Sequence, residues 1–342
     1  MTVEKMAEYL YGLPEQFAVI LQQGVNLPEK YRRSYHNILV TGLGGSAIGG
    51  DILRTYAMQK AQVPVLVNRD YDIPEFVNGD SLVLAVSYSG NTEETLSSYQ
   101  QAYQKGAAII AVTGGGKLAD MAQKDGCAVV KIPGGLSPRA ATGYLFAPLA
   151  LILEELGILQ GAAHDLEETV QVLRNVRDAI YPGIDFPVNQ ARALAKEMKG
   201  NIPVIWGSSA RTETVAMRWK TQINENAKSP AYFSIFPELN HNEIVGFEAP
   251  ADLIARLVVI ILRDPADHGR VKKRMEISQG IIKDKVKKII EVEGRGESFL
   301  AKFYSLVYVG DYASFYLALE YGINPTPVET IDFLKAELAK GV

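Results

Sequence analysis

Two short stretches bring hydroxyl side chains and glycines together at spacings that suit anion binding. They are Thr41-Gly-Leu-Gly-Gly45-Ser46-Ala-Ile-Gly-Gly50 and Ser87-Tyr-Ser89-Gly-Asn-Thr92-Glu-Glu94. Each follows a short apolar run, Asn37–Val40 and Ser81–Val86, and each runs into helix-compatible sequence. Backbone N–H groups and hydroxyls at a helix start form a cradle for a phosphate dianion. Two such loops on neighbouring strand ends predict a phosphorylated small molecule with no nucleotide attached. Gly42-Leu-Gly44-Gly-Ser-Ala47 also fits a G-x-G-x-x-G/A dinucleotide fingerprint, with Asp70 where a ribose-binding acid would stand. Ser46 and the hydroxyls of the second loop are surplus to that use, and Arg69-Asp70 reads equally as a polar turn. Ser46 and Thr92 are also good helix N-caps in their own right. Thr113-Gly-Gly-Gly116-Lys117 lacks the spacing of a Walker A loop and reads as a flexible turn.

The elements that must hold these loops follow from the apolar pattern. Residues 1–35 read as one or two leader helices. Strands are expected at 37–41, 63–67, 81–86, 107–112 and 128–132, with helices at 46–59, 92–104 and 117–124 between them. Continuous apolar runs alternating with helices predict a parallel sheet covered on both faces, with every strand-to-helix loop at one edge. Helices 143–156 and 165–180, a Tyr181–Pro187 bend and helix 188–199 come next. The pattern then restarts with strand 202–206, a Gly207-Ser-Ser209 loop and helix 211–223. Further strands are expected at 254–262 and 286–292, and helices at 266–282, 297–307 and 311–321. The prediction is an α/β chain of two doubly wound αβα domains with mainly parallel five-stranded sheets, over 1–160 and 161–342.

Composition narrows the function classes. The chain has 342 residues, 47% apolar and 22% charged, with a net charge of −4. Lys and Arg are dispersed, so no nucleic-acid footprint is expected. Cys127 is the sole cysteine, which leaves no intramolecular disulfide framework and no Cys-based metal site. The longest apolar segment, 146–153, is too short to span a bilayer. The start lacks a basic region followed by an apolar one, and a cytoplasmic protein is expected.

The G-x-G-G-S loop followed by S-x-S-G-N-T-x-E-T resembles the sugar isomerase (SIS) domain. Pro138-Arg139, Asn224-Glu225-Asn226, Glu238-Leu-Asn-His241-Asn-Glu243 and the tail Pro325–Lys335 extend that likeness along nearly the whole chain, to the bifunctional phosphoglucose/phosphomannose isomerases. The resemblance implies that Gly45, Ser46, Ser87, Ser89 and Thr92 hold the phosphate. It implies that Arg139, Glu225, His241 and Lys335 carry the chemistry, and that a homodimer places the active site at the subunit interface.

Those residue types suit an aldose–ketose isomerisation of hexose 6-phosphates. After ring opening, one carboxylate moves a proton between C2 and C1 on a single face of a cis-enediol(ate), with Glu225 as the base. The permanently charged fork of Arg139 would stabilise the oxyanion. Ring opening needs an acid and a base, filled by His241 and Lys335; an imidazole, with an ordinary pKa of about 6.5, suits proton transfer near neutrality. Thr326 or Thr330 is a candidate for tolerance of both C2 epimers. No cofactor and no metal enter this scheme; Asn-His-Asn-Glu243 has no second His or Cys at ligand spacing. The alternatives are a single-substrate or aminosugar-phosphate isomerase, and a sugar-phosphate-binding protein without catalysis. Each site residue also has a plainer reading, as a solvated helix-end carboxylate for Glu225, a surface ion pair for Arg139 and a helix-dipole partner for Lys335.

Overall fold

A computed structural model describes residues 3–184, 188–338 and 340. The Asp185–Pro187 part of the expected bend lies outside these, as do Met1 and Thr2. The leader forms α1 (Val3–Tyr11) and α2 (Leu13–Gln23). Then come β1 (Asn37–Thr41), α3 (Gly45–Ala57), β2 (Val65–Asn68), β3 (Ser81–Ser87), α4 (Glu93–Gln104), β4 (Ala108–Thr113), α5 (Gly116–Lys124), β5 (Ala128–Lys131), α6 (Thr142–Glu155) and α7 (Ala162–Ile180). The remainder comprises α8 (Gln190–Met198), β6 (Ile202–Ser208), α9 (Glu213–Ala227), β7 (Tyr232–Phe236), α10 (Ala251–Ile254), β8 (Leu257–Arg263), α11 (Gly269–Ile282), β9 (Lys288–Glu293), α12 (Phe299–Glu320) and α13 (Glu329–Leu338).

The first sheet is parallel throughout, in the order β2-β1-β3-β4-β5, with Val40 opposite both Val67 and Leu84. Every residue of β3 is buried, as a central strand between two helical layers requires. One face packs Leu39, Val83, Ala85 and Ile109 against Tyr99 of α4 and Leu118 of α5. In this strand order the connections reverse direction between β1 and β3, and a crevice opens outside their carboxyl ends. The loops after β1 and β3 are the two hydroxyl-rich stretches.

The second sheet is also parallel but has four strands, β7-β6-β8-β9, where five were expected. Among the described residues it repeats the first order without a strand outside β9. Its core packs Trp206 edge-on to Phe236 and Phe247, with Val259, Ile261 and Met275 around them. Helices expected at 297–307 and 311–321 are one element, α12. Gly310 lets the Trp219 indole lie against its backbone; a Cβ there would stand 2.1 Å from Trp219 Nε1. The glycine marks a close approach within a continuous helix. Helix α9 runs past the expected end at residue 223, so Glu225 lies in its last turn.

The chain divides into two compact units, and each is built from separated stretches. One comprises residues 1–11, 175–294 and 306–342 and holds the four-stranded sheet. The other comprises 12–174 and 295–305 and holds the five-stranded sheet. Among the described residues no helix is long and apolar enough to cross a membrane.

Candidate functional site

In the five-stranded unit, three segments converge at the β1/β3 crevice. The loop after β1 leads into α3 through Gly44, whose φ of 54° suits a residue without a Cβ. A Cβ on Gly45 would stand 2.6 Å from the carbonyl oxygen of Pro138, so the start of α3 touches the segment that carries Arg139. Ser46 follows, 5% exposed, in a first turn that holds no acidic residue. The first turn of α4 contains Glu93 and Glu94. Electrostatically, the start of α3 is therefore the better anion site.

The loop after β3 is held by its own hydroxyls. Ser87 Oγ lies 2.9 Å from Thr92 Oγ1 and accepts the Gly90 N–H at 3.0 Å. Thr92 occupies the N-cap position of α4, yet its side chain makes no capping bond there. Ser87 is fully buried, Thr92 half-buried and Ser89 exposed, with Ser89 Oγ accepting the Asn91 N–H at 3.3 Å. The turn at 113–117, expected to be flexible, braces this loop. Leu118 N–H donates to the Gly90 carbonyl at 2.9 Å, and Lys117 N–H donates to Asn91 Oδ1 at 3.2 Å. At Asp70, the carboxylate accepts the adjacent Tyr71 N–H at 2.7 Å, and Arg69 pairs with Asp51 of α3. These are the contacts of a local polar turn.

Arg139 lies in a short 3-10 turn, Pro138–Ala140, and is 7% exposed. Its Nη1 donates to Ser137 Oγ at 3.0 Å. Gln16, which sequence reasoning passed over, fixes this turn from α2. Its Nε2 donates to the Ala140 carbonyl at 2.7 Å, and its Oε1 accepts the Gly143 N–H at 3.0 Å. A buried amide that bonds both a carbonyl and an N–H of one segment in this way holds its turn in place. Tyr88 adds a second tie, its hydroxyl accepting the Leu136 N–H at 3.0 Å.

Glu225 belongs to the four-stranded unit. One face of α9 is locked to α12 by buried polar contacts: Arg218 pairs with Asp311 through Nε at 3.1 Å and Nη2 at 2.7 Å. Gln222 donates to Asp311 at 3.0 Å and Asn226 to Ser314 Oγ at 2.9 Å. Trp219 Nε1 donates to the Leu306 carbonyl at 2.9 Å. This rigid seating sets where Glu225 emerges. It lines a cavity of about 650 Å³ with Asn224, Lys228, Asn324 and Thr330. That volume falls in the range of small-molecule sites.

His241 ends a short 3-10 turn, Glu238–His241, and is exposed. The turn is pinned on both sides of the imidazole, by Asn240 Nδ2 donating to Ser278 Oγ at 2.8 Å and Trp206 Nε1 donating to Glu243 at 2.9 Å. Lys335 lies on α13, every described side chain of which is exposed in the last two turns. Thr326 is buried and Thr330 exposed. The candidate residues thus fall into two groups: Gly45, Ser46, Ser87, Ser89, Thr92 and Arg139 in one unit, and Glu225, His241 and Lys335 in the other.

The second repeat treats its own crevice differently. At the carboxyl ends of β6 and β8, Ser208 Oγ donates to Asp267 at 2.5 Å and Arg211 pairs with Asp264 at 3.5 Å. Burial raises the Asp267 carboxyl above its ordinary pKa, against the hydrogen bonds it accepts from Ser208 and the Asp264 N–H. Carboxylates of the chain itself stand where the first repeat presents hydroxyls.

Residues 33–131 match the SIS domain family, and residues 187–338 match the bacterial phospho-glucose isomerase C-terminal SIS domain family. A bifunctional phosphoglucose/phosphomannose isomerase of Caldicellulosiruptor bescii is 47% identical over 336 residues, covering 98% of this chain and 99% of its own. The protein of the same description from Aquifex aeolicus is 38% identical over 311 residues, 90% of this chain and 91% of its own. Among solved structures, a hypothetical protein of Thermus thermophilus shares the fold at a TM-score of 0.76 and 16% identity, covering 98% of this chain and 90% of its own.

Proposed function

Because the chain belongs to the bifunctional phosphoglucose/phosphomannose isomerase family, we propose that it interconverts glucose 6-phosphate and mannose 6-phosphate with fructose 6-phosphate. The near full-length similarity to relatives of that description carries the reading. The hydroxyl-lined crevice at β1/β3 supports it, since a phosphate is the group such a crevice suits.

In this reading Gly45 and Ser46 offer the start of α3 to the phosphate. Ser89 and Thr92 complete the cradle, and Ser87 acts through its bond to Thr92. His241 and Lys335 open the sugar ring by delivering a proton to the ring oxygen and taking one from the C1 hydroxyl. The Glu225 carboxylate then removes the C2 proton and returns it to C1, the O2 hydroxyl proton passes to O1, and Arg139 stabilises the enediolate oxygen between the two transfers. Rotation about C2–C3 after ring opening brings either C2 epimer to the same base, and Thr326 or Thr330 makes the polar contact that tolerates both. The scheme requires neither cofactor nor metal. The exposure of His241 suits a side chain contributed to a second subunit, which supports a homodimer with its active site at the subunit interface; a cytoplasmic location is part of the same proposal. The start of the second SIS repeat near residue 160 is part of the same reading.

A coupled assay of fructose 6-phosphate formation tests it, with glucose, mannose and glucosamine 6-phosphates supplied separately and EDTA present. Turnover of the first two is expected. Turnover of only one substrate selects the single-substrate or aminosugar alternative. No aldose–ketose turnover on any of the three would leave a binding protein.

A further inference from the structure

Helix α9 ends in an unusual way for a helix that carries a proposed catalytic base. Its C-terminal residue beyond Ala227 is Lys228, with φ 53° and ψ 32°, in the left-handed region. That conformation is costly for any residue with a Cβ, and glycine or asparagine usually takes it. A lysine held there indicates that its side chain does something a glycine could not.

The side chain turns back over the end of its own helix. Lys228 Nζ donates to the Glu225 carbonyl oxygen at 2.6 Å, one of the carbonyls that a helix end leaves without an intrahelical partner. The same ammonium lies 3.3 Å from the carbonyl oxygen of Pro325. Pro325 sits in the stretch between α12 and α13, the helix that carries Lys335. One cation therefore ties the last turn of α9 to the segment leading to the other proposed proton carrier. Glu225, Lys228, Asn324 and Thr330 all face the same 650 Å³ cavity, so the tie spans two of its walls.

We propose that Lys228 is a positioning residue for the isomerisation: by bridging the Glu225 and Pro325 carbonyls it sets the distance between the base and the tail wall of the cavity. The proposal rests on the isomerase reading given above. Lysine serves here because its ammonium carries donors that can reach two carbonyls at once, and the positive charge suits a helix C-terminus. Displacing a catalytic group by about 1 Å can cost on the order of a hundredfold in rate, so loosening this bridge should lower kcat more than it raises KM.

The test uses the full-length protein and two substitutions. K228G removes the bridge and at the same time relieves the left-handed strain, so its melting temperature should equal or exceed that of the parent. Its kcat on glucose and mannose 6-phosphates should fall at least tenfold with KM changed less than about threefold. Amide exchange in residues 323–331 should accelerate, and K228R should recover most of the loss. Parental kcat in K228G, or unchanged exchange in 323–331, would overturn the proposal. A fall in melting temperature with no rescue by K228R would also overturn it, because the lysine would then be holding the fold alone. Absence of turnover in the parent protein would instead remove the isomerase reading, and the exchange measurement would still decide whether the bridge exists.

Discussion

Ser87 Oγ and Thr92 Oγ1 stand 2.9 Å apart across the turn that joins β3 to α4. One of the two hydroxyls must donate to the other, and Ser87 Oγ already accepts from Gly90. The pair therefore behaves as one unit, with the half-buried Thr92 as its outer face. Replacing Thr92 by Val keeps the shape and removes the outer oxygen. Loss of a charge-assisted hydrogen bond to phosphate costs about 1.5–3 kcal/mol, or about tenfold to a hundredfold in affinity. Inhibition by inorganic phosphate should weaken by that factor, with S87A showing a smaller change; equal inhibition of parent and T92V would remove Thr92 from the cradle.

Glu225→Gln keeps the volume and polarity of the side chain and removes its basicity. Isomerisation should fall by about 10²–10⁴, the usual contribution of a general base. Binding of sugar phosphate, read by calorimetry, should remain within a few-fold of the parent. Retention of more than a tenth of parental kcat would assign the proton transfer elsewhere.

Gly45→Ala places a methyl group 2.6 Å from the Pro138 carbonyl oxygen, against backbone that cannot swing aside. Overpacking of this kind costs about 1–3 kcal/mol. Because the displaced turn carries Arg139, kcat should drop along with the urea midpoint. A variant that loses stability but keeps its kcat would show that Arg139 does not depend on this contact.

Asp311→Asn leaves the buried Arg218 guanidinium without its charged partner, both side chains being 2–3% exposed. Uncompensated burial of one ion costs about 3–5 kcal/mol. Equilibrium unfolding in urea should show a loss of that size; a loss under about 1 kcal/mol would mean that water reaches the guanidinium.

Glu168 supplies the pH prediction. Burial disfavours its ionised form, but the N–H groups of Glu297 and Ser298, the Ser298 hydroxyl and nearby Lys302 outweigh that and hold its carboxyl below the usual carboxylate range. The carboxylate accepts those two N–H groups at 2.7 and 2.9 Å, just ahead of α12. A depressed pKa stabilises the fold above the unfolded value and ceases to do so as pH falls through the folded one. With allowance for solvent screening, E168Q should cost about 1 kcal/mol at pH 7. The gap from the parent should narrow as pH falls below the unfolded value and through the depressed folded one, and a pH-independent gap would contradict the assignment.

What can be read from the chain, and what cannot, follows from the range of the interactions concerned. The five-stranded sheet is legible because strands buried on both faces read as unbroken apolar runs, Ser81–Val86 above all. Strand β7 gives no such signal because it is an edge: Tyr232 and Phe233 are exposed, and Pro230 and Pro237 flank it like turn signals. The helices expected at 297–307 and 311–321 run on as one, and Gly310 between them admits an indole from α9, a partner about ninety residues away in the chain. Helix α9 outruns its expected end because the left-handed residue that stops it is a lysine. The hydroxyl loops are legible because their chemistry is local. Gln16 is not, since it acts on Ala140 across 124 residues.

The interleaving of the two units has a consequence for how the chain is made. The unit with the four-stranded sheet includes residues 1–11 as well as 306–342, and the Tyr308 hydroxyl donates to the Leu10 carbonyl at 2.7 Å. The other unit takes a piece of itself from 295–305. During synthesis the carbonyl of Leu10 therefore lacks this tyrosine donor until Tyr308 has left the ribosome. Neither unit can be finished from a nascent chain that has stopped at its midpoint.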